Sequence, residues 1–519
     1  MNARDAALAG CAGACLALCL AILPAAAPAG ESIAGFRAAG PTVPFPAVSG
    51  VDAPRPVPSG LTAAGYRKLA ESHEAAGRYQ EASVAYRKEA TIRRKLGDVN
   101  GAKVEESKAD WWHSEVILYR EAPLRGARCG PAKFEPASGC YIGAIVERDP
   151  RVGGDHATFN RLTGKDHSLF FDYRSYGVAF PVEWARRLKA VGAAAQIAYE
   201  PTQGLEGVRD DATLQEFARA AAASGIPVFL RFAGEMNGDW VRYNRDPAEY
   251  IRKWRLVHGV MRRLAPNVAM VWTPNAIPEH NITRYYPGDD TVDWVGVNFY
   301  TVHHHNNLLS RPAEREDPAD MLRFIYDRYA ARKPIMVCEY AATHFCKADG
   351  KTLPRYAADK LRTLYTALPR RYPRVKAICW YDIDNTTHSV RAGRDINNYS
   401  LTDNEEVLAA YRDTVAGPYF LSTVETGGTR ESGVRFEALA PGRTLSGSVR
   451  LSAWAKTHDD RPVVGYRLDG KPVLATAARP YEVEWDTRRA GNGEHTLEAL
   501  VFVKGRVAAR QSVSVRVVN

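Results

Sequence analysis

Two glutamates sit where buried apolar runs end. Glu235 follows Val228-Phe229-Leu230-Arg231-Phe232, and Glu339 follows Ile335-Met336-Val337-Cys338. A carboxylate placed directly after such a run costs free energy unless it is paired or used. A single glutamate of this kind is explained equally well by an ion pair with Arg231 or another arginine. Two at matching positions favour chemistry. Two carboxylates facing each other across a sugar can break a glycosidic bond. One, protonated, releases the leaving oxygen; the other, ionised, attacks the anomeric carbon. Unlike surroundings would separate their pKa values.

Such a pair needs a scaffold that brings distant segments to one mouth. Over 129–422 the pattern repeats as strand, loop and helix. Apolar strand-like runs fall at 141–146, 168–172, 194–199, 228–232, 268–272, 294–299, 335–338 and 376–380, with amphipathic helical stretches between most of them. Eight continuous apolar strands alternating with helices predict an α/β fold, a (β/α)8 TIM barrel. A doubly wound open sheet is the alternative, disfavoured because no Gly-rich phosphate loop follows any strand. In such a barrel the C-terminal strand ends carry the catalytic groups. Glu235 and Glu339 end the fourth and seventh strands.

The flanking segments differ. Residues 1–29 carry Arg4, an apolar run and small-residue cleavage sites, the pattern of a secretory signal peptide. Residues 30–60 are rich in Pro, Ala and Gly and read as a linker. Residues 61–121 are helical, punctuated at Gly77 and Gly97, and resemble one to two tetratricopeptide-type hairpins. They form either a collar packed on the barrel or a surface for a protein partner. Residues 433–519 alternate apolar and polar positions with turns such as Asp469-Gly470, which predicts an all-β sandwich. The stretch Pro480–Thr487 followed by Gly493–Leu497 looks like the immunoglobulin-like domains appended to bacterial secreted enzymes, with a spacer role implied.

The blocks around the glutamates carry a second resemblance. The Arg231–Trp240 segment, Trp272-Thr273-Pro274-Asn275, Tyr285-Tyr286-Pro287-Gly288-Asp289, Val292–Tyr300 and the Glu339 strand are similar, in this order, to glycoside hydrolase family 26, the β-mannanase family of clan A. The resemblance implies a (β/α)8 barrel and a mechanism that retains anomeric configuration. It makes Glu235 the acid/base and Glu339 the nucleophile. By position, Tyr300 is expected to hydrogen-bond the nucleophile, Trp380 to floor a sugar subsite and Trp240 to line the cleft. Arg231, Asn237, Asn275 and Glu200 are expected to orient carboxylates or sugar hydroxyls. Family members typically carry His immediately before the acid/base. This chain has Gly234, which predicts a cleft widened there and weaker selection for mannose.

Composition narrows the partners. The 519 residues carry 69 Lys+Arg against 59 Asp+Glu, a net charge of +10, without any long basic run. Nucleic acid is therefore not expected, nor is a membrane span once the leader is removed. Of the eight cysteines, Cys129, Cys140, Cys338, Cys346 and Cys379 remain after the leader. Export permits a disulfide, and Cys129 with Cys140 flank a short loop as the expected pair. No Cys/His spacing suggests zinc, and His303-His304-His305 reads as rim or solvent-facing. No metal and no cofactor are expected, since two carboxylates suffice. The expected protein is secreted, periplasmic or cell-surface, and cleaves a β-linked polysaccharide. β-1,4-Mannan is the first expectation; xylan, glucan or an exopolysaccharide comes next. A surface protein that binds glycan without cleaving it is the rival from another class.

Overall fold

Eight parallel strands pair in chain order and close on themselves. They are β1 (Cys140–Ile145), β2 (Leu169–Ser175), β3 (Ala194–Glu200), β4 (Val228–Phe232), β5 (Val268–Trp272), β6 (Trp294–Thr301), β7 (Ile335–Ala342) and β8 (Val375–Tyr381), with β8 returning to β1. This computed structural model describes residues 33–47, 55–389 and 393–519. The expected leader lies outside the described residues. The strands read as continuous apolar runs because each is covered twice. Phe171, Phe229, Val271, Trp294 and Met336 fill the barrel interior. Phe170, Ile197, Leu230, Val297 and Val337 meet the surrounding helices.

The sandwich recruits chain from well outside the C-terminal segment. One sheet runs in the order Phe36–Ala38, Val483–Asp486, Ser448–Lys456, Glu115–Arg128 and Thr429–Ala438. The other holds six strands and ends on Thr42–Val43. Part of the expected linker thus pairs at the edges: Phe36 lies opposite Trp485 and stacks on it at 5.0 Å. The helical stretch stops at Trp112, and a 14-residue strand follows from Glu115. Alternation within that strand explains its position. Val116 and Leu118 face the sandwich core, while Ile117 and Tyr119 face the barrel's helical layer.

The sandwich is docked on the barrel rather than trailing from it. Helix Pro354–Arg371 supplies the contact. The buried Arg370 donates to Ser452 Oγ and Glu482 Oε1, both at 2.9 Å, and its guanidinium lies 4.3 Å from the Phe436 ring. Arg371 covers Trp454 at 4.6 Å. The three helices Ala63–Ala75, Tyr79–Lys95 and Val99–Trp112 touch both neighbours. Asp110 pairs with Arg323 of the barrel at 3.1 Å, and Tyr79 and Trp112 pack on His458 of the sandwich. These contacts fit the collar reading.

The expected Cys129–Cys140 disulfide is absent; both are free thiols. Cys140 begins β1 and is fully buried in the layer between strands and helices. Cys129 leaves the long sandwich strand instead, and its thiol lies 3.4 Å from Glu425 Oε2. Their short separation in sequence crosses from one domain to another. Among the described residues no helix is long and apolar enough to cross a membrane.

Candidate active site at the C-terminal end of the barrel

Glu339 reaches the barrel mouth through a break in the strand register. Met336 and Cys338 face inward, so plain alternation would turn Glu339 outward. The β6–β7 pairing shifts between Val337 and Glu339, and this bulge turns the carboxylate in. There its Oε1 lies 2.6 Å from Nη1 of Arg231, as an ion pair, with both side chains almost wholly buried. Arg231 shares the inward face of β4 with Phe229. Burial works most strongly against its charge, but Glu339, together with Cys338, Tyr173 and Glu200, outweighs it and holds the guanidinium above its ordinary range. Tyr300 donates its phenol proton to Glu339 Oε2, and the Tyr173 hydroxyl also hydrogen-bonds this carboxylate. Burial first and Glu339 second push both phenols well up, so both stay protonated donors.

Glu235 is delivered differently. β4 ends at Phe232, and the chain then turns through Ala233 (φ 49°) and Glu235 (φ 57°), both left-handed. Non-glycine residues take this conformation at a cost of about 1–3 kcal/mol, and such strain gathers at functional sites. The turn is held by Glu235 N–H donating to Thr273 O at 2.8 Å. The Glu235 carboxylate receives three neutral donors: Asn298 Nδ2 at 2.9 Å, Asn275 Nδ2 at 3.1 Å and Trp240 Nε1 at 2.7 Å. Gly238 permits the last of these. A Cβ there would sit 2.3 Å from the Trp240 ring, which folds back over it.

Asn298 ties the two glutamates together. Its Cα pairs with that of Glu339 across β6 and β7, while its amide reaches Glu235. Tyr300 and Tyr381 feel both carboxylates. The mouth therefore holds two carboxylates in unlike settings, one against a cation and phenols, the other against neutral amides and an indole. This asymmetry is what separates an attacking carboxylate from a proton donor.

Several expected positions move. Trp380 does not floor a subsite. It is fully buried outside the barrel wall, against Tyr340 and Tyr411, with its Nε1 donating to Tyr399 O. Ala377, Cys379 and Tyr381 share the inward face of β8, so parity puts Tyr381 in the mouth, edge-on to Tyr300 at 5.3 Å. Asn237 is not free for substrate. It is buried, and its amide is used by Asn275 and Pro278 O and by Asn275 N–H. It fastens the loop after β4 to the loop after β5. Nor is the space beside Gly234 open: a Cβ there would lie 3.1 Å from Glu200 Oε1. Glu200 accepts from Gly234 N–H and from Tyr243 Oη at 2.5 Å. Burial lifts its carboxyl to about 7, against the opposing pull of Arg231. Sequence reasoning missed Asn298, Tyr173, Tyr243 and Tyr381; strand parity counted from Cys379 finds Tyr381. A cavity of about 820 Å³ between barrel and sandwich, lined by Arg362, Arg370 and Arg450 among others, includes neither Glu235 nor Glu339.

Residues 204–311 match the family description "Glycosyl hydrolase family 26", and residues 434–499 match "Bacterial Ig domain". Curated relatives include Endoglucanase H of Acetivibrio thermocellus, 24% identical over 299 residues, which cover 54% of this chain and 30% of that protein. Beta-1,3-xylanase TXYA of a Vibrio species is 36% identical over 95 residues, 17% of this chain and 18% of that protein. The chain thus spans less than a third of the length of either. Similar solved structures include a GH26 β-mannanase from Bacteroides ovatus (13% identity, 55% of this chain and 90% of that one, TM-score 0.38). Another is GH26C from Muricauda (14%, 55% and 87%, TM-score 0.39).

Proposed function

We propose that this chain is a family 26-type glycoside hydrolase through its barrel, which hydrolyses a β-linked polysaccharide with retention of configuration; the match of residues 204–311 to that family supports the reading. The observation that carries the reading is Asn298, which sits beside Glu339 in the sheet and holds Glu235. In this reading Glu339 attacks the anomeric carbon and Glu235 protonates the departing oxygen. Glu235 then takes a proton from the water that releases the sugar. Arg231 and Tyr300 hold the attacking oxygens in place, and Trp240 lines the cleft beside the proton donor. Their carboxyl groups should lie about 5–5.5 Å apart, the separation of a retaining pair.

The relatives' names, an endoglucanase and a β-1,3-xylanase, support β-glucan or β-1,3-xylan ahead of β-1,4-mannan. The bacterial Ig domain and the signal-like leader support export. The test is release of reducing ends from β-1,3-xylan, mixed-linkage β-glucan, β-1,4-mannan and acidic exopolysaccharide. Turnover of one polymer, lost in Glu339→Ala, is the expected result. Binding without cleavage across the panel would return the protein to the glycan-binding class.

A further inference from the structure

The loops after β6 and β7 meet in a group of side chains that the hydrolytic reading does not use. His303 Nδ1, His304 Nε2 and Asp349 Oδ2 lie 3.1 Å from one another on all three sides. The two histidines were expected at the rim or facing solvent, yet the side chains of His303, His304 and Asp349 are only 15%, 10% and 10% exposed. Adjacent histidines converge because their rings stand at 88° to each other and present different nitrogens. Asp349 lies far from the two histidines in sequence, which is why no spacing motif announces the group.

The geometry points to a divalent transition-metal site, with Zn²⁺ the ion its donors suit best. Three donors in a triangle of this size can each sit about 2.1 Å from one ion, with angles at the ion of about 95–100°. Two imidazoles and a carboxylate match that class of metal. The tautomers are compatible with an ion there. Three potential donor atoms converge on one point, and among the described residues His304 Nδ1 has no hydrogen-bond partner, which leaves that nitrogen able to carry the proton while Nε2 binds an ion. Metal at Nε2 would put the proton on Nδ1.

The surroundings hold the ligands in place. The His303 ring rests edge-on against Tyr356 at 5.6 Å, and His303 O accepts from Ala313 N–H at 3.0 Å. Asp349 Oδ1 accepts from Lys351 N–H at 3.2 Å. The Lys351 ammonium is 3.6 Å from Asp349 Oδ2, but its side chain is 62% exposed and free to swing away. The ion would clamp the loop that follows Tyr300 to the loop that follows Glu339. It would act as a brace and take no part in bond cleavage.

The full chain, dialysed against a chelator and then against buffer, is titrated with Zn²⁺ by calorimetry and followed by thermal unfolding. Co²⁺ is added in parallel and read by its visible absorption. One Zn²⁺ per chain, a rise in Tm of several degrees and new Co²⁺ bands are expected. Asp349→Asn and His303→Ala should each weaken Zn²⁺ binding at least tenfold, with metal-free Tm values near that of the wild type. No stoichiometric Zn²⁺ or Co²⁺ uptake by the wild type would overturn the site. So would uptake unchanged in both variants, because the ion would then sit elsewhere.

Discussion

The two strand ends that bear the glutamates solve one problem in opposite ways. At β7 a bulge rotates Glu339 into the barrel, where a buried arginine and two phenols are fixed by the barrel's own strands. At β4 the strand has already ended, and a left-handed turn carries Glu235 out to a partly exposed loop held by neutral side chains. The first arrangement is rigid and charged, as suits a carboxylate that must stay aligned as an anion. The second is wetter and uncharged, as suits one that takes and gives a proton. The difference lies in the donors rather than in the glutamates.

The largest effect should come from the rigid end. Glu339→Ala is expected to lower kcat by at least about 10⁴-fold, since no covalent intermediate can form. Added azide should restore turnover of an activated aryl glycoside and give the inverted glycosyl azide. Recovery of the retained azide would assign the attacking role to the other glutamate.

Glu235→Ala should cost less, about 10²–10⁴-fold on polymer, the ordinary contribution of general acid–base catalysis. On a substrate with a good leaving group the first step needs no acid, so the loss there should shrink. An equal loss on both substrates would remove Glu235 from the proton-donor role.

Stability separates the ends as well. Arg231→Met leaves Glu339 buried without its cation and should cost about 3–5 kcal/mol in denaturant unfolding. Asn275→Ala, which removes one of three neutral donors, should cost about 1 kcal/mol. Comparable losses would mean that the two settings are not as different as their partners imply.

A pH-dependent effect involves Glu200, beside the Glu235 turn. Its carboxyl is raised to about 7 from an ordinary 4.5. The folded state therefore keeps a proton that the unfolded state gives up. The stability this contributes is full below about 4.5 and is lost as pH rises towards 7. Glu200→Gln should flatten the fall in stability between these values. An unchanged slope would place the titrating group elsewhere.

The strands were legible because a sheet covered on both faces leaves long apolar runs, and 228–232 and 268–272 coincide with β4 and β5. The ends of β4 and β7 were legible as positions for carboxylates. The direction of a side chain was not. Trp380 reads as an aromatic at a strand end, but one residue of parity sends it outward and Tyr381 inward. The bulge before Glu339 leaves no mark in the sequence, because it depends on pairing with β6. Phe36–Ala38 and Thr42–Val43 are too short to carry a pattern of their own. The His303–His304–Asp349 group exists only because two loops fold together.

The pairing of a nucleophile at β7 with a proton donor at β4 is tested most directly by the anomer first released. Proton NMR should follow the early products from the polymer that the wild type cleaves. The β-anomer should appear first and then mutarotate. Appearance of the α-anomer first would mean a single displacement, and would contradict the pairing of Glu235 with Glu339 as a retaining couple.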